Sequence, residues 1–177
     1  MIAFPNKFVS LETERLLLKE ISMQDLDFLF EIRNNEDNNR YIGRKKSSLE
    51  QVQQFITDRI EDFKAKRGIV WMIYDKESQQ NIGSVCYWNF NSEAISAEIG
   101  YELASEFQGK GFMQEALSKV IDFGFNELNL QTIEAFTDEK NTASIKALEK
   151  FHFIQNTAFE SDEVESLIMF TLTSTQL

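Results

Sequence analysis

The feature that most constrains this chain is a change of apolar period around two glycines. From Ala94 to Leu103 the residues are β-branched, aromatic or alternating, the pattern of a strand. From Met113 onward, Leu117, Val120, Ile121, Gly124 and Leu128 fall along one face at helical spacing. Between the two lies Phe107-Gln108-Gly109-Lys110-Gly111-Phe112-Met113. Two glycines in a strand-to-helix turn let the backbone approach a bulky ligand and expose successive N–H groups. Those groups, with the positive end of the helix dipole, make a pyrophosphate site, and Lys110 adds a cation beside it. The turn lacks the GxxxxGK[ST] spacing of a P-loop and the three-glycine dinucleotide fingerprint. In isolation it also reads as a tight turn in which glycine only supplies unusual dihedrals.

The rest of the chain supplies a frame. Arg15 to Ile21 reads as a first strand, and Ser22 with Asp25 caps a helix ending near Asn34–Asn35. Glu36 to Lys46 is expected as loop with a short turn of helix. Ser48 and Gln51 repeat the capping signal for a second helix, with Gly68 as its stop. Ile69–Tyr74, Ile82–Phe90 and Ala94–Leu103 then form an antiparallel meander. After the glycine turn and its helix come a strand at Thr132–Thr137 and a helix at Asn141–Lys150. Strands at Phe153–Phe159 and Leu167–Leu172 flank an acidic turn, Glu160 to Glu165. The order β-α-α-β-β-β-α-β-α-β-β predicts an α/β (α+β) fold, a mixed, mostly antiparallel sheet of about seven strands with helices on both faces. No linker or composition break interrupts it, so residues 1–177 are expected to form a single domain.

Composition narrows the function. The formal net charge is −11, which argues against nucleic-acid binding, since that needs clustered Lys and Arg. With one cysteine, Cys86, and one histidine, His152, neither an internal disulfide nor a Cys- or His-rich metal site is expected. No apolar run approaches a membrane span and Met1 to Val9 lacks a secretory core, so a cytoplasmic protein is expected. Trp71, Trp88 and Phe90 read as core or pocket wall, and Cys86 as a small packed hydrophobe.

The turn and its surroundings together resemble the GNAT superfamily of N-acetyltransferases. Gln108 and Gly111 meet its coenzyme A signature Q/R-x-x-G-x-G/A, with Met113 in the last place. Glu98-Ile99-Gly100-Tyr101-Glu102-Leu103 is similar to the upstream strand, and Glu115-Ala116-Leu117 with Phe123-Gly124-Phe125 to the following helix. Asn141 and Ser144 resemble the N-x-x-S helix start, and Lys150-Phe151-His152-Phe153 occupies the K-L-G-F position with His152 in place of glycine. Glu12-Thr13-Glu14-Arg15-Leu16 resembles the opening of the ribosomal-protein acetyltransferase branch (RimJ/RimL type). Leu148 stands where many members carry a tyrosine general acid.

The resemblance implies transfer of an acetyl group from acetyl-CoA to a primary amine, a protein N-terminal α-amine (as in ribosomal proteins) or a small amine. No metal is expected, and the resemblance implies a monomer or homodimer. Coenzyme contacts are expected from Ile99, Tyr101, Leu103, Gln108, Gly109, Lys110, Gly111, Phe112, Met113, Asn141 and Ser144, with the backbone of Tyr101 and Leu103 holding pantetheine. A lysine-like amine has a pKa near ~10, so its proton must be removed. Glu98 is the first choice for that base, Glu102 the second, and a water chain the third. Ser144 and Tyr101 are candidates for protonating the departing thiolate. Asn34 to Lys46 and the acidic turn are where acceptor selection is expected, with a plain solvated hairpin the favoured account of the acidic turn. The rival class is a non-catalytic acyl-CoA-binding regulatory module.

Overall fold

The structure is a computed structural model that describes residues 1–162 and 164–176. An eight-stranded sheet runs in the order β1-β2-β3-β4-β5-β6-β8-β7. Its strands are β1 (Leu11–Glu12), β2 (Leu16–Glu20), β3 (Ile69–Asp75), β4 (Gln80–Asn91), β5 (Ser96–Leu103), β6 (Thr132–Asp138), β7 (Ile154–Gln155) and β8 (Leu167–Thr173). Among the described residues five α-helices accompany them: α1 (Leu26–Asn34), α2 (Glu36–Asn39), α3 (Leu49–Lys64), α4 (Phe112–Asn126) and α5 (Thr142–Lys150). Every strand pair is antiparallel except β5 with β6, which α4 joins as a crossover.

Alternation along the strands divides the core. On β3, Met72 faces Ile21, Leu29, Ile32, Val52 and Ile56, beneath α1 and α3. Its neighbours Trp71 and Ile73 face the opposite way, joining Tyr87, Leu117, Val120, Phe123, Ile133 and Leu148 beneath α4 and α5. The approach of α4 to the sheet depends on Gly124, where a Cβ would stand 2.4 Å from the Tyr87 hydroxyl. That hydroxyl donates to the Val120 carbonyl at 3.1 Å.

Both capping boxes form. Ser22 and Asp25 close a 3-10 turn that leads into α1, and Ser48 with Gln51 opens α3. Three expectations need correction. The second helix ends at Lys64, and Lys66, not Gly68, takes the left-handed conformation behind it (φ 59°). The strand expected over 153–159 is reduced to Ile154–Gln155. There the Asn156 side chain accepts from the Ala158 N–H at 3.1 Å, a local turn that competes with the ladder. The sheet also gains β1, too short for its periodicity to register. Within the acidic turn 160–165, Glu163 lies outside the described residues.

Candidate active site between the parted strands

Strand β5 has two unlike edges. Toward β4 it is paired from Glu98 to Leu103 without interruption. Toward β6 it is paired only over Ser96–Glu98 against Thr132–Glu134, after which the strands part. The Ala104 N–H donates to the Ile82 carbonyl at 2.8 Å, which sets the antiparallel alternation. Even-numbered residues of β5 exchange hydrogen bonds with β4, so the N–H and C=O groups of Ile99, Tyr101 and Leu103 turn toward the opening. A half-buried strand edge with unmade hydrogen bonds is a ready partner for the amides of an extended ligand.

The opening continues into a cleft of about 610 Å³. Its walls come from β5 (Ile99 to Leu103), from β6 (Phe136 to Asp138) and from the first turns of α4 and α5. Asp37, Asn38, Tyr41 and Ile42 line it as well. Of the expected coenzyme contacts, Ile99, Tyr101, Leu103, Gln108, Gly109, Gly111, Phe112, Met113, Asn141 and Ser144 all border this cleft. Lys110 does not; its Nζ lies over the Phe107 ring, 5.4 Å from the centroid.

The glycine turn takes the conformation its composition requires. Gly109 has φ 74° and Gly111 φ 81°, in the left-handed region that side-chain-bearing residues avoid. Gly111 is the N-cap of α4 and carries no side chain to satisfy the first amides of the helix. Those amides therefore lack a side-chain cap beside the cleft. An uncapped helix start of this kind offers an anion both amide hydrogens and the positive helix end.

Helix α5 begins differently. The Asn141 Oδ1 accepts from the Ser144 N–H at 3.2 Å, so Asn141 caps its own helix as well as bordering the cleft. The Ser144 hydroxyl meets the Tyr101 hydroxyl across the cleft at 2.8 Å. Burial pushes the Tyr101 phenol up to about 12, against the opposing effect of that hydrogen bond. The phenol therefore holds its proton at neutral pH. Leu148, at the family's tyrosine position, is 1% exposed in the core, and Tyr101 brings a phenol to the cleft from the strand instead.

The two candidate bases are separated. Glu102 borders the cleft, and its carboxylate bonds the Arg44 guanidinium at 3.0 Å. Burial raises its pKa, and Arg44 opposes the rise. Glu98 stands where β5 and β6 still pair, outside the cleft wall, and accepts from the Asn89 Nδ2 at 2.8 Å. Burial raises its pKa too. Sequence reasoning did not find Arg44 as the partner of Glu102. Nor did it anticipate the side chains of Asn38 and Gln108, which both donate to the Leu103 carbonyl at 2.8 and 3.0 Å. That carbonyl was expected to hold pantetheine and is already engaged. The signal for Asn38 and Arg44 was only their place in the polar loop 34–46.

Several other residues fall outside the site. Trp71 is core, whereas Trp88 is 39% exposed and belongs neither to the core nor to the cleft wall. Cys86 is half-buried with its thiol donating to the Gly100 carbonyl at 3.5 Å, and desolvation pushes that thiol up to about 12, away from the thiolate form. His152 ends α5 with φ 63°, keeping the glycine-like conformation of the position it occupies.

The architecture is that of an acyl-CoA-dependent transferase. Residues 15–154 match the acetyltransferase (GNAT) domain family, and the chain belongs to that family. It is 35% identical over 147 residues to the uncharacterized N-acetyltransferase YoaA of Bacillus subtilis, covering 82% of this chain and 83% of the relative. It is 27% identical over 143 residues to the spermidine N(1)-acetyltransferase of Vibrio cholerae, covering 80% of each. The solved structure of RimL, a ribosomal L7/L12 alpha-N-protein acetyltransferase in complex with coenzyme A, superposes with a TM-score of 0.79. That comparison covers 96% of this chain and 97% of RimL at 15% identity, and shows the shared fold. The protein is thus an N-acetyltransferase, with acetyl-CoA as its acetyl donor. No described helix is long and apolar enough to cross a membrane.

Proposed function

We propose that this enzyme acetylates a protein N-terminal α-amine in the cytoplasm, and that Tyr101, Ser144 and Glu102 carry the proton transfers. The observation that supports this most directly is the pair Tyr101–Glu102 on β5. As strand neighbours they project from opposite faces of the sheet. A phenol that keeps its proton and a carboxylate of raised pKa therefore flank the open strand edge. Acetyl-CoA supplies a thioester whose carbonyl carbon accepts the amine.

The chain's residues then divide the work. Glu102 takes the proton that the attacking nitrogen loses as the C–N bond forms. An outward N–H of β5 stabilises the oxyanion. As the C–S bond breaks, the Tyr101 hydroxyl protonates the departing thiolate and is resupplied through Ser144. Glu98, outside the cleft wall, is the alternative base, acting through water. The coenzyme lies along the outward edge of β5, with its diphosphate at the amides of Gly109 to Met113.

The surroundings of Glu102 favour a monoamine over a polycation there. Glu102 is already met by Arg44, and Arg33 also acts on it electrostatically. A polyamine needs several unmatched carboxylates, so it is the second reading, supported by the kinship to a spermidine enzyme. A thiol-release assay with N-terminal peptides and with spermidine tests the choice. Turnover confined to polyamines refutes the peptide assignment.

The base is tested by pH. Because the carboxylate form is active, kcat/KM should rise with pH through a value above the usual carboxylate range. Glu102→Gln should remove that limb and lower activity least at high pH. If Glu98→Gln removes it instead, the base is Glu98.

A further inference from the structure

The segment leading into β2 reaches behind the glycine turn. The Arg15 Nη1–H donates to the Lys110 carbonyl at 3.1 Å, and its Nε–H to Glu115 Oε2 at 2.6 Å. The Arg15 backbone N–H donates to Glu115 Oε1 at 2.9 Å, and the Thr13 hydroxyl to the same oxygen at 2.5 Å. The guanidinium also lies 4.4 Å from the centroid of the Phe112 ring. Arg15 itself is not on the wall of the coenzyme cleft.

Two physical problems of the turn meet at this cluster. Lys110 sits between two glycines of positive φ, a segment whose peptide planes rotate at little steric cost. In a trans peptide the C=O and the next N–H point in opposite directions. Holding the Lys110 oxygen behind the turn keeps the Gly111 N–H directed forward, and a flipped plane would aim an oxygen at the diphosphate. The second problem is Glu115, a carboxylate in the first turn of α4. Such a charge competes with a ligand anion for the helix end. Burial works against its ionisation, but the bonds from Thr13 and Arg15 outweigh this and hold its pKa below the ordinary value. Its charge is spent on Arg15 rather than on repelling the ligand.

We propose that Arg15, locked to Glu115 and to the Lys110 carbonyl, is the positioning residue that presets the α4 turn to receive the coenzyme diphosphate. The proposal rests on the reading that this turn binds the diphosphate. It adds a role for a residue outside the wall of the coenzyme cleft. The fork geometry of arginine is needed, because one side chain grips a carbonyl, a carboxylate and an aromatic face together.

The test compares Arg15→Met and Arg15→Lys with the unmodified enzyme, using calorimetry with CoA and steady-state kinetics. Both variants should bind CoA about tenfold more weakly, the loss expected for one charge-assisted hydrogen bond. KM for acetyl-CoA should rise in parallel while kcat and the acceptor KM hold. With S-acetylpantetheine, which has no diphosphate, kcat/KM should be unchanged. Amide exchange at Gly109 to Met113 should be faster in the ligand-free variants. Wild-type CoA affinity in Arg15→Lys would overturn the fork argument, since charge alone would then suffice. An equal loss with S-acetylpantetheine would reduce Arg15 to general stability and overturn the proposal. Absence of CoA binding by the unmodified enzyme would instead sink the diphosphate reading beneath it.

Discussion

Helices α3 and α4 begin in opposite ways. At α3 the Ser48 hydroxyl accepts from the Gln51 N–H at 3.3 Å, and Gln51 Oε1 accepts from the Ser48 N–H at 2.8 Å. The helix satisfies its own first amides. At α4 the N-cap is Gly111, in the left-handed conformation and without a side-chain cap. Every helix must satisfy these orphan amides somehow. A chain that supplies its own cap has a structural helix start. One that withholds the cap beside a cleft keeps those amides open to a ligand. Helix α5 stands between the two, since Asn141 caps it while Ser144 faces Tyr101. By this contrast α4 presents backbone to the cleft and α5 presents side chains.

The sharpest test of that division is Tyr101→Phe. It should lower kcat by roughly 10²- to 10³-fold, the usual effect of removing a general acid. Calorimetry should find CoA affinity unchanged, because the α4 amides are untouched. Next is Gly111→Val, which should weaken CoA binding about a hundredfold while sparing kcat at saturation. A left-handed β-branched residue costs about 1–2 kcal/mol, and displacing an amide from the phosphate adds a similar amount. Unchanged affinity in a folded Gly111→Val protein would break the contrast between the helices.

Smaller effects mark the purely structural termini. Ser48→Ala should cost about 1 kcal/mol of stability in denaturant melts, with kinetics unaltered. A change in KM for acetyl-CoA there would mean that α3 shares the site. At the far end of α5, His152→Gly should stabilise the fold by up to about 1 kcal/mol, by relieving a left-handed non-glycine residue. A thermal melt that moves downward would show that the imidazole makes a contact worth more than the strain.

What was legible in advance was local. Capping at Ser22 and Ser48 depends on residues three positions apart, and the glycine turn on dihedrals within one segment. Both survive in the fold. The strand expected over 153–159 failed for an equally local reason, since Asn156 offered its side chain to the Ala158 amide in place of the ladder. The ranking of the two bases was not legible. Glu98 and Glu102 share strand parity, and only the point at which β6 departs leaves one beside the cleft and the other outside it.

The amino-acid sequence by itself determined the order of the elements, the uncapped turn before α4 and the family signature, because these rest on short-range periodicity and backbone sterics. The tertiary structure alone decided which groups meet. Tyr101 and Ser144 lie 43 positions apart, Arg44 and Glu102 58, and Arg15 and Glu115 100. No periodicity encodes such encounters; the parting of β5 from β6 and the crossover of α4 bring them about.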